Sequence, residues 1–378
     1  MSQSSPSRPE AAFPGDASSR LRRRRARGLS ATAALAAAAL LLAACGGGSS
    51  GSSGNAIPNT WSGVESQAKK EKTVVFYTLS DTLAASLKTA FEKTYPGMTV
   101  KTVIGSPGDL ASRVVTEARS GASTADVIML PGGQRKTLLD SGAVRAFTVP
   151  SDASMTKQYQ DPQHYAHPVY ITPINLIYNT DKLSASEVPT NLYDLADPKW
   201  KGKIAFDSPA NAGTAATWLA GMRKTWGDDK WKAWLQGLKN NDVFITEDAT
   251  SAYQAVLRGE AEIGVDNPGD VLGQASGTPV ANAYYDDTIP FVQYVWLAKN
   301  ASHPSAGELF VNWLTSKAGQ TVMATTGRSP SLTSLDVPNS LSNLIPQGTT
   351  MLPAGDLQDW YDNAADYVDT YNKYWPSN

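Results

Sequence analysis

The stretch Thr73-Val74-Val75-Phe76-Tyr77-Thr78 decides the fold, because the chain after it repeats the alternation that it begins. Its continuous apolar run indicates a buried strand. Apolar residues at helical spacing follow, and Tyr95-Pro96-Gly97 ends that helix. We predict a second strand at 98–104, a helix after the turn at 105–109, and a third strand at 125–130. Strands that alternate with helices through short loops predict a parallel, doubly wound α/β sheet.

The same alternation starts again after residue 165. Apolar runs predict strands at 168–178, 203–206, 243–245, 263–265 and 291–297, and helical spacing predicts helices at 211–222, 231–238, 250–257 and 306–314. Near the end of the chain, one helical stripe carries Trp360, Ala364, Tyr367, Val368, Tyr371 and Trp375. We interpret this stripe as core packing, with a carbohydrate-stacking platform as the alternative.

The beginning of the chain has the anatomy of a secretory signal. Arginines cluster between Arg20 and Arg27, an apolar run of 14 residues fills 31–44, and glycine and serine fill 46–54 after Cys45, the only cysteine. The apolar run is shorter than the roughly 20 residues that a membrane-spanning helix needs. This order resembles a bacterial lipoprotein leader. The resemblance implies cleavage before Cys45 and a lipid on its thiol, which would anchor the protein to the outer face of the cytoplasmic membrane. A buried thiol and an uncleaved membrane anchor are the alternatives.

Length and charge limit what the part after residue 44 can be. It contains 26 basic and 33 acidic residues, which gives a net charge of −7. A mildly acidic chain without a basic cluster argues against nucleic acid as a partner. The length is sufficient for two lobes, each with its own core. With Cys45 lipidated, this part has no thiol left for a disulfide, so burial must supply its stability.

Six stretches carry sequence motifs. No single motif identifies a protein family, but the six in this order do. They are Val74-Val75-Phe76-Tyr77-Thr78, Gly105-Ser106-Pro107-Gly108-Asp109-Leu110, Ala125-Asp126-Val127, Ile177-Tyr178-Asn179-Thr180-Asp181-Lys182-Leu183, Asn191-Leu192-Tyr193-Asp194-Leu195 with Trp200-Lys201-Gly202-Lys203-Ile204, and Ala301-Ser302-His303-Pro304-Ser305-Ala306 with Phe310 and Ser316-Lys317-Ala318-Gly319-Gln320. Together they resemble the extracellular solute-binding proteins of ABC importers, in the branch that contains ferric-ion, phosphonate and thiamine binders.

The resemblance implies a fold, partners and a mechanism. The fold is a two-lobed, type II periplasmic-binding-protein-like α/β fold, in which doubly wound sheets are joined by a two-strand hinge. We expect a signal peptide at 1–44, a tether at 45–60, a first lobe at 61–168 with its return at 289–378, and a second lobe at 169–288. A monomer would close on a small molecule by hinge motion and deliver it to an ABC permease and its ATPase. A ligand-sensing subunit of a signalling receptor is an alternative role.

The predicted ligand site lies beyond the carboxyl ends of the strands, where loops enter helices. Amide groups at a helix start, with hydroxyls beside them, bind oxyanions. The predicted ligand-binding residues are Thr78, Leu79, Ser80, Asp81, Ser106, Pro107, Gly108, Tyr170, Ser208, Asn211, Gly213, Thr214, Asp266 and Asn267. For Ser80, Ser106, Asn211 and Thr214, a helix-capping role is an equally good interpretation.

Departures from the family pattern bear on the ligand. Ferric binders carry a tyrosine pair shortly after the strand that matches 263–265, but this chain has Asp266-Asn267-Pro268-Gly269-Asp270 there. Tyr284-Tyr285 comes later and is interpreted as a strand-edge or hinge pair. The segment at 208–214 keeps Gly213 and Thr214 of the phosphonate pattern but has Ala212 in place of a serine. We therefore favour an anionic organic solute over ferric ion.

Motifs for catalysis are absent from the sequence. It has no Gly-x-Ser-x-Gly elbow and no Gly-x-x-x-x-Gly-Lys-Ser/Thr loop. His164 and His167 with Asp161 have the residue types of a metal site, but prolines flank them and no third ligand follows at metal-site spacing, so we interpret them as an exposed loop. We predict a protein that is not an enzyme and has no cofactor or resident metal. A secreted hydrolase that uses the same cleft is the alternative.

Overall fold

The computed structural model describes residues 57–376, with gaps at 122, 123, 156, 273, 274 and 339. The predicted leader, Cys45 and most of the tether lie outside the described residues. No helix in the described part of the chain is long and apolar enough to cross a membrane.

The described residues form ten strands and twelve α-helices, with short 3-10 helices between them. The strands are β1 (Thr73–Thr78), β2 (Thr99–Ile104), β3 (Val127–Pro131), β4 (Val144–Arg145), β5 (Ala166–Asn179), β6 (Ile204–Asp207), β7 (Phe244–Thr246), β8 (Ile263–Asp266), β9 (Val280–Ala283) and β10 (Ile289–Ala298). The helices are α1 (Trp61–Glu71), α2 (Asp81–Thr94), α3 (Pro107–Ser120), α4 (Arg135–Asp140), α5 (Thr214–Trp226), α6 (Asp228–Asn240), α7 (Ala249–Leu257), α8 (Pro268–Leu272), α9 (Pro304–Leu314), α10 (Lys317–Thr325), α11 (Leu341–Leu344) and α12 (Gln358–Tyr371).

The strands hydrogen-bond in the order β2-β1-β3-β10-β5-β8-β6-β7, with β4 on β10 and β9 on β5. We call the part built on β1 to β4, β10 and the first half of β5 the first lobe, and the part built on the second half of β5 and β6 to β9 the second lobe. The predicted parallel pairing holds within β1–β3 and within β6–β8. It is wrong for β5 and β10, which run antiparallel to their neighbours because they carry the chain from one lobe to the other and back.

A two-stranded ribbon of β5 and β10 joins the lobes, as predicted. Pro173 stands opposite Pro290 in this ribbon. Ile171 donates its N–H to Ser329, away from β10, so the nitrogen of Pro173 two residues later lies on the same outer side. In an antiparallel pair, two directly opposite residues either hydrogen-bond to each other or both point their N–H and C=O groups away from each other. Pro290 therefore also has its nitrogen on the outer side. Neither proline has an N–H there to pair with a further strand.

Tyr285 reinforces the junction between the lobes. It lies between β9 and β10 together with Tyr284, and its hydroxyl donates to the Ile174 carbonyl oxygen at 2.6 Å. The side chain is buried, which strongly raises the pKa of its phenol. This placement agrees with the interpretation of Tyr284-Tyr285 as a hinge pair.

Helix α1 was not predicted from the sequence. Thr60 caps its start by accepting the N–H of Gly63, and Lys72 ends it in a left-handed conformation. Only Val64 and Ala68 of this helix are buried. Two buried residues are too few to produce the repeat of apolar residues by which a helix is predicted from sequence. Its position is fixed by Glu71, which accepts the N–H of Ala306 at the start of α9 at 2.7 Å.

Helix α12 contacts both lobes with its aromatic stripe, which confirms the prediction of core packing. Trp360 and Tyr371 are at most 1% exposed, so the alternative of a carbohydrate platform is wrong. Toward the first lobe, Trp360 lies against Gly133, which follows β3. Toward the second lobe, the Tyr371 hydroxyl donates to the Ala216 carbonyl oxygen in α5 at 3.1 Å. One hydrophobic cluster therefore runs from the first lobe through α12 to the second.

Candidate functional site

Two rows of polar side chains, all buried except the half-buried Tyr170, cross the sheets near the carboxyl ends of their parallel strands. In the first lobe, Tyr170 of β5 pairs with Gln293 of β10, which also pairs with Pro131 at the end of β3. In the second lobe, Asn175 of β5 pairs with Asp266 at the end of β8. We call these the first-lobe row and the second-lobe row.

The second-lobe row extends onto β6. Ile204 pairs with Ile263 and Ala205 with Gly264, and these two neighbouring strands end at Asp207 and Asp266. Both carboxylates are buried, Asp207 at 4% and Asp266 at 0% exposure. Two buried acids at adjacent strand ends give this wall of the site a negative character.

Ser80 and Arg328 border the first-lobe row. Ser80 caps α2 by accepting the N–H of Leu83 at 3.3 Å. One guanidinium nitrogen of Arg328 donates to the Ser80 hydroxyl at 3.3 Å, and another donates to the Thr326 carbonyl oxygen at 2.7 Å. Burial raises the pKa of the Tyr170 phenol, and the charge and hydrogen bond of Arg328 oppose that rise. The first lobe thus brings a cation, a hydroxyl, a phenol and a helix start together.

Gln293 is the most unusual side chain of the first-lobe row. It is 0% exposed, and among the described residues neither its Nε2 nor its Oε1 has a hydrogen-bond partner. The hydroxyl of Ser329, also fully buried, has none either. Leaving a buried polar group unpaired costs about 1–3 kcal/mol. Side chains of this kind are therefore candidates for contact with a bound molecule.

Asp207 occupies the start of α5. Its Oδ1 accepts the N–H of Ala215 at 2.8 Å, and the N–H of Thr214 also contributes to holding the carboxylate. Burial is the largest influence and raises the pKa of Asp207 to about 7, although the backbone hydrogen bonds oppose this. A methyl group added at Gly213 would lie 2.9 Å from Oδ2 of Asp207, so glycine is needed for this close approach.

Asp266 and Asn267 form the turn into α8. Oδ1 of Asp266 accepts the backbone N–H of Asn267 at 2.7 Å. The amide of Asn175 donates to the Leu176 carbonyl oxygen and to Asn282, both at 2.8 Å, while its Oδ1 has no partner among the described residues. The second-lobe row thus offers mainly acceptors.

Loops of the two lobes come close at two places. A methyl group added at Gly133 of the first lobe would lie 3.3 Å from the Ala212 carbonyl oxygen of the second. A methyl group added at Gly269 of the second lobe would lie 3.3 Å from the Gly327 carbonyl oxygen of the first. The lobes are therefore in near contact beside both rows.

The remaining predicted residues take different positions. Ser106 and Gly108 are exposed at the start of α3, where Ser106 accepts the N–H of Asp109, and β2 before them is an edge strand. Thr78 is buried and contacts Met129. Leu79, Pro107 and Ser208 are half-buried, and Asp81 is exposed. Thr214 is buried and is the first residue of α5.

The structure shows which of the four ambiguous residues cap helices. Ser80 and Ser106 cap helices with their side chains. Asn211 does not cap α5; it is exposed and donates to the Glu247 carbonyl oxygen at 2.9 Å. Thr214 is inside the helix and not its cap.

The histidines do not form a metal site. His164 is exposed, but His167 is 3% exposed and contacts Asp152 with Nδ1 at 2.7 Å, so the prediction of an exposed loop is wrong for His167. Asp161 instead accepts backbone N–H groups of Gln163 and Tyr165. Within the described ranges, no group of three or more His, Cys, Asp or Glu side chains is placed to hold a metal ion.

Comparison with known proteins decides the family. The model of the family described as "Bacterial extracellular solute-binding protein" matches residues 86–345, more than half of the chain. The chain belongs to this family. As an extracellular solute-binding protein, it functions outside the cytoplasm by binding a small molecule, in the manner of the binding proteins of ABC importers.

Individual members of the wider group illustrate the similarity. The chain is 26% identical over 278 residues to the Fe(3+)-binding periplasmic protein of Serratia marcescens. The aligned region covers 70% of this chain and 79% of that protein. It is 26% identical over 185 residues, 47% of this chain and 51% of the relative, to a probable ABC transporter periplasmic-binding protein, y4fP, of Sinorhizobium fredii. The periplasmic binding protein AfuA of Actinobacillus pleuropneumoniae, solved with fructose-6-phosphate, has a TM-score of 0.71 and 21% identity, covering 80% of this chain and 98% of AfuA. This structural likeness confirms the predicted two-lobed fold of the solute-binding protein.

Proposed function

We propose that the protein is the solute receptor of an ABC importer, which captures a small molecule between its lobes and passes it to the membrane permease. The observation that carries this proposal is the pair of buried polar rows, one in each lobe, beside loops of the two lobes that nearly touch. A solute that contacts both rows gains its full set of contacts only when the lobes are closed, so it favours the closed state. The function is binding and not turnover.

We infer that the lobes follow the predicted boundaries, the first at 61–168 and 289–378 and the second at 169–288, except that the first lobe extends along β5 to include Tyr170. A monomer is sufficient for this mechanism, because both rows belong to one chain. The permease and its ATPase are the protein partners.

We favour an anionic organic solute as the ligand. AfuA, a structural neighbour, was solved with a sugar phosphate. Ferric ion is the less favoured candidate, although a relative is an Fe(3+)-binding protein. The segment Asp266-Asn267-Pro268-Gly269 at the end of β8 supplies no phenolate for such an ion.

We propose that a lipid on Cys45 anchors the receptor to the outer face of the cytoplasmic membrane. Replacement of this only cysteine, Cys45→Ser, removes the acylated thiol. We expect the wild-type protein to fractionate with membranes of a bacterial host and the variant to be released from them, as measured by immunoblotting of the fractions. Release of both proteins, or retention of both, would contradict the anchor.

A thermal-shift screen of the purified protein against sugar phosphates, phosphonates, polyamines, thiamine and ferric citrate tests the receptor function. A ligand at about a hundred times its Kd adds roughly 2.7 kcal/mol to the free energy of unfolding, so we expect a clear rise in Tm for one class. Product analysis of each mixture is the control, because steady conversion of a compound would indicate an enzyme. No rise in Tm with any class would count against solute capture.

A further inference from the structure

We propose that the anionic group of the solute is held by the first lobe, at the start of α2 beside Arg328, and not at the start of α5 in the second lobe. This inference rests on the proposed function and deepens it, because it assigns opposite roles to two helix starts that the sequence makes equivalent. It also names the side chains that distinguish them.

The start of α5 is already occupied by an internal anion. Asp207 accepts the N–H of Ala215 at 2.8 Å and is held by that of Thr214. These amides belong to the first turn of α5, which is the part of a helix that binds anions. A solute anion would have to displace a carboxylate that has no other place to go, because Asp207 is 4% exposed.

The acid next to Asp207 strengthens this exclusion. The parallel strands β6 and β8 pair at Ile204–Ile263 and Ala205–Gly264, and each ends in an acid, Asp207 and the fully buried Asp266. Neighbouring parallel strands lie about 4.8 Å apart. A solute anion that approached the end of β6 would meet the buried Asp207 and the charge of Asp248, and the buried Asp266 ends the next strand.

The first lobe has the opposite character. Helix α2 has 14 residues, and its cap Ser80 receives a hydrogen bond from Arg328. Arg328 is also a neighbour of Tyr170, because the next residues of the two segments, Ser329 and Ile171, are joined by a backbone hydrogen bond of 2.9 Å. The amides of the helix start that Ser80 leaves free, the phenol and the guanidinium can donate to an oxyanion, and the one acid of the first turn, Asp81, is exposed to solvent.

Gln293 and Ser329 provide the independent observation. Paired residues in antiparallel strands point to the same face, so Gln293 lies on the face of Tyr170, which Arg328 contacts. Its amide and the hydroxyl of Ser329 have no hydrogen-bond partner among the described residues, although both side chains are 0% exposed. Two buried polar side chains without a hydrogen-bond partner among the described residues thus lie near a cation and a helix start.

The test measures binding of inorganic phosphate to the purified full-length protein by titration calorimetry at pH 8. We compare wild type with Arg328→Gln and Gln293→Met in the first lobe, and with Thr214→Val as the matched control at the start of α5. We expect each first-lobe variant to weaken phosphate binding by about tenfold or more, and Thr214→Val to stay within about twofold. Asp207→Asn, which removes the internal charge but keeps an acceptor for Ala215, should bind phosphate as well as wild type or more tightly.

Three results would overturn the inference. They are unchanged affinity in Arg328→Gln and Gln293→Met, a tenfold loss in Thr214→Val, and no phosphate binding by wild type. Circular dichroism and Tm of each variant verify that it is folded, and Gln293→Met retains the side-chain volume so that packing is preserved. If wild type ignores phosphate but a compound of the solute screen still raises Tm, this inference fails while the receptor function stands.

Discussion

Asp207 ends β6 as a carboxylate buried against the amides that open α5, and this single residue decides what the second lobe can accept. The sequence offers Asn211, Gly213 and Thr214 as an attractive helix start, and nothing in the local pattern shows that an upstream acid reaches back to it. The contact depends on where β6 stops relative to α5. Such a distance is set by tertiary structure and not by spacing along the chain.

Replacement of Asp207 by asparagine should change how stability depends on pH. The pKa of Asp207 is about 7, above its ordinary value of 3.8. The folded state therefore binds this proton more tightly than the unfolded state, so the group stabilises the fold below about pH 4 and loses that contribution as the pH rises through about 7. We expect Asp207→Asn to be more stable relative to wild type at pH 8 than at pH 5, by a few kcal/mol in urea unfolding. An equal difference between the two proteins at both pH values would contradict this.

Gly319 in α10 is a position where an added methyl group meets backbone. The methyl group would lie 2.7 Å from the Cα atom of Leu314. Backbone cannot rotate away, so we expect Gly319→Ala to lower the free energy of unfolding by about 1–3 kcal/mol. Gly108→Ala is the control, since nothing lies within 4 Å of its added methyl group and the change should stay within about 0.5 kcal/mol. Equal stability of both variants in urea unfolding would show that α10 can shift to make room.

Gln293 was also beyond sequence reasoning, for a different reason. It lies in the apolar run Phe291-Val292-Gln293-Tyr294-Val295, where one polar residue in a strand normally faces solvent. The register shift between Gln293 and Tyr294 and the position of β10 at the centre of the sheet bury it instead. Arg328 follows α10 in a loop that no motif singled out, and only the folded chain places it beside Ser80.

At the scale of elements, the sequence predicted those whose apolar period is strong. The strands β1 and β3 and the helices α2 and α6 lie within a few residues of their predicted ranges. The antiparallel direction of β10 was not foreseen, because a buried strand has the same apolar run in either direction. Direction depends on the connection, and here the connection is a short return between lobes.

Helix α12 is the element that ties the two lobes together, so its aromatic anchors should govern global stability. Trp360 is 1% exposed, and its ring lies 5.4 Å from that of Tyr367 in an edge-on arrangement. We expect Trp360→Ala to reduce the free energy of unfolding by about 3–5 kcal/mol. Asp369→Ala, an exposed position on the same helix, should change it by no more than about 0.5 kcal/mol. A loss below 1 kcal/mol in Trp360→Ala, measured by urea unfolding, would argue against α12 as a structural tie.

For the whole molecule, the six ordered motifs predicted the family and the two-lobed fold, and the family match at 86–345 confirms the family. The motifs could not predict which buried groups face a solute. Those groups, Tyr170, Asn175, Asp207, Asp266, Gln293 and Arg328, all lie outside the six motifs. Solute recognition differs between relatives of one fold, so the shared motifs contain little information about it.

Closure of the lobes should depend on Gly269, whose added methyl group would lie 3.3 Å from the Gly327 carbonyl oxygen of the other lobe. We expect Gly269→Leu to hold the lobes apart and to weaken the binding of any compound found in the thermal-shift screen by about tenfold or more. Without solute, the Tm of Gly269→Leu should match the Tm of Ala85→Leu, a control variant at an exposed position in α2. Calorimetry on both variants checks this, and wild-type affinity in Gly269→Leu would mean that this contact does not limit closure.

The ribbon of β5 and β10, with Pro173 opposite Pro290, has a consequence for how such a receptor adapts. Because no further strand can pair at Pro173 and Pro290, the energy needed to bend the ribbon there is set by a few residues between the first-lobe row and the second-lobe row. Mutations there can shift the resting balance between open and shut forms, and with it the solute concentration at which uptake begins. That threshold can therefore change without replacement of the polar side chains of either row.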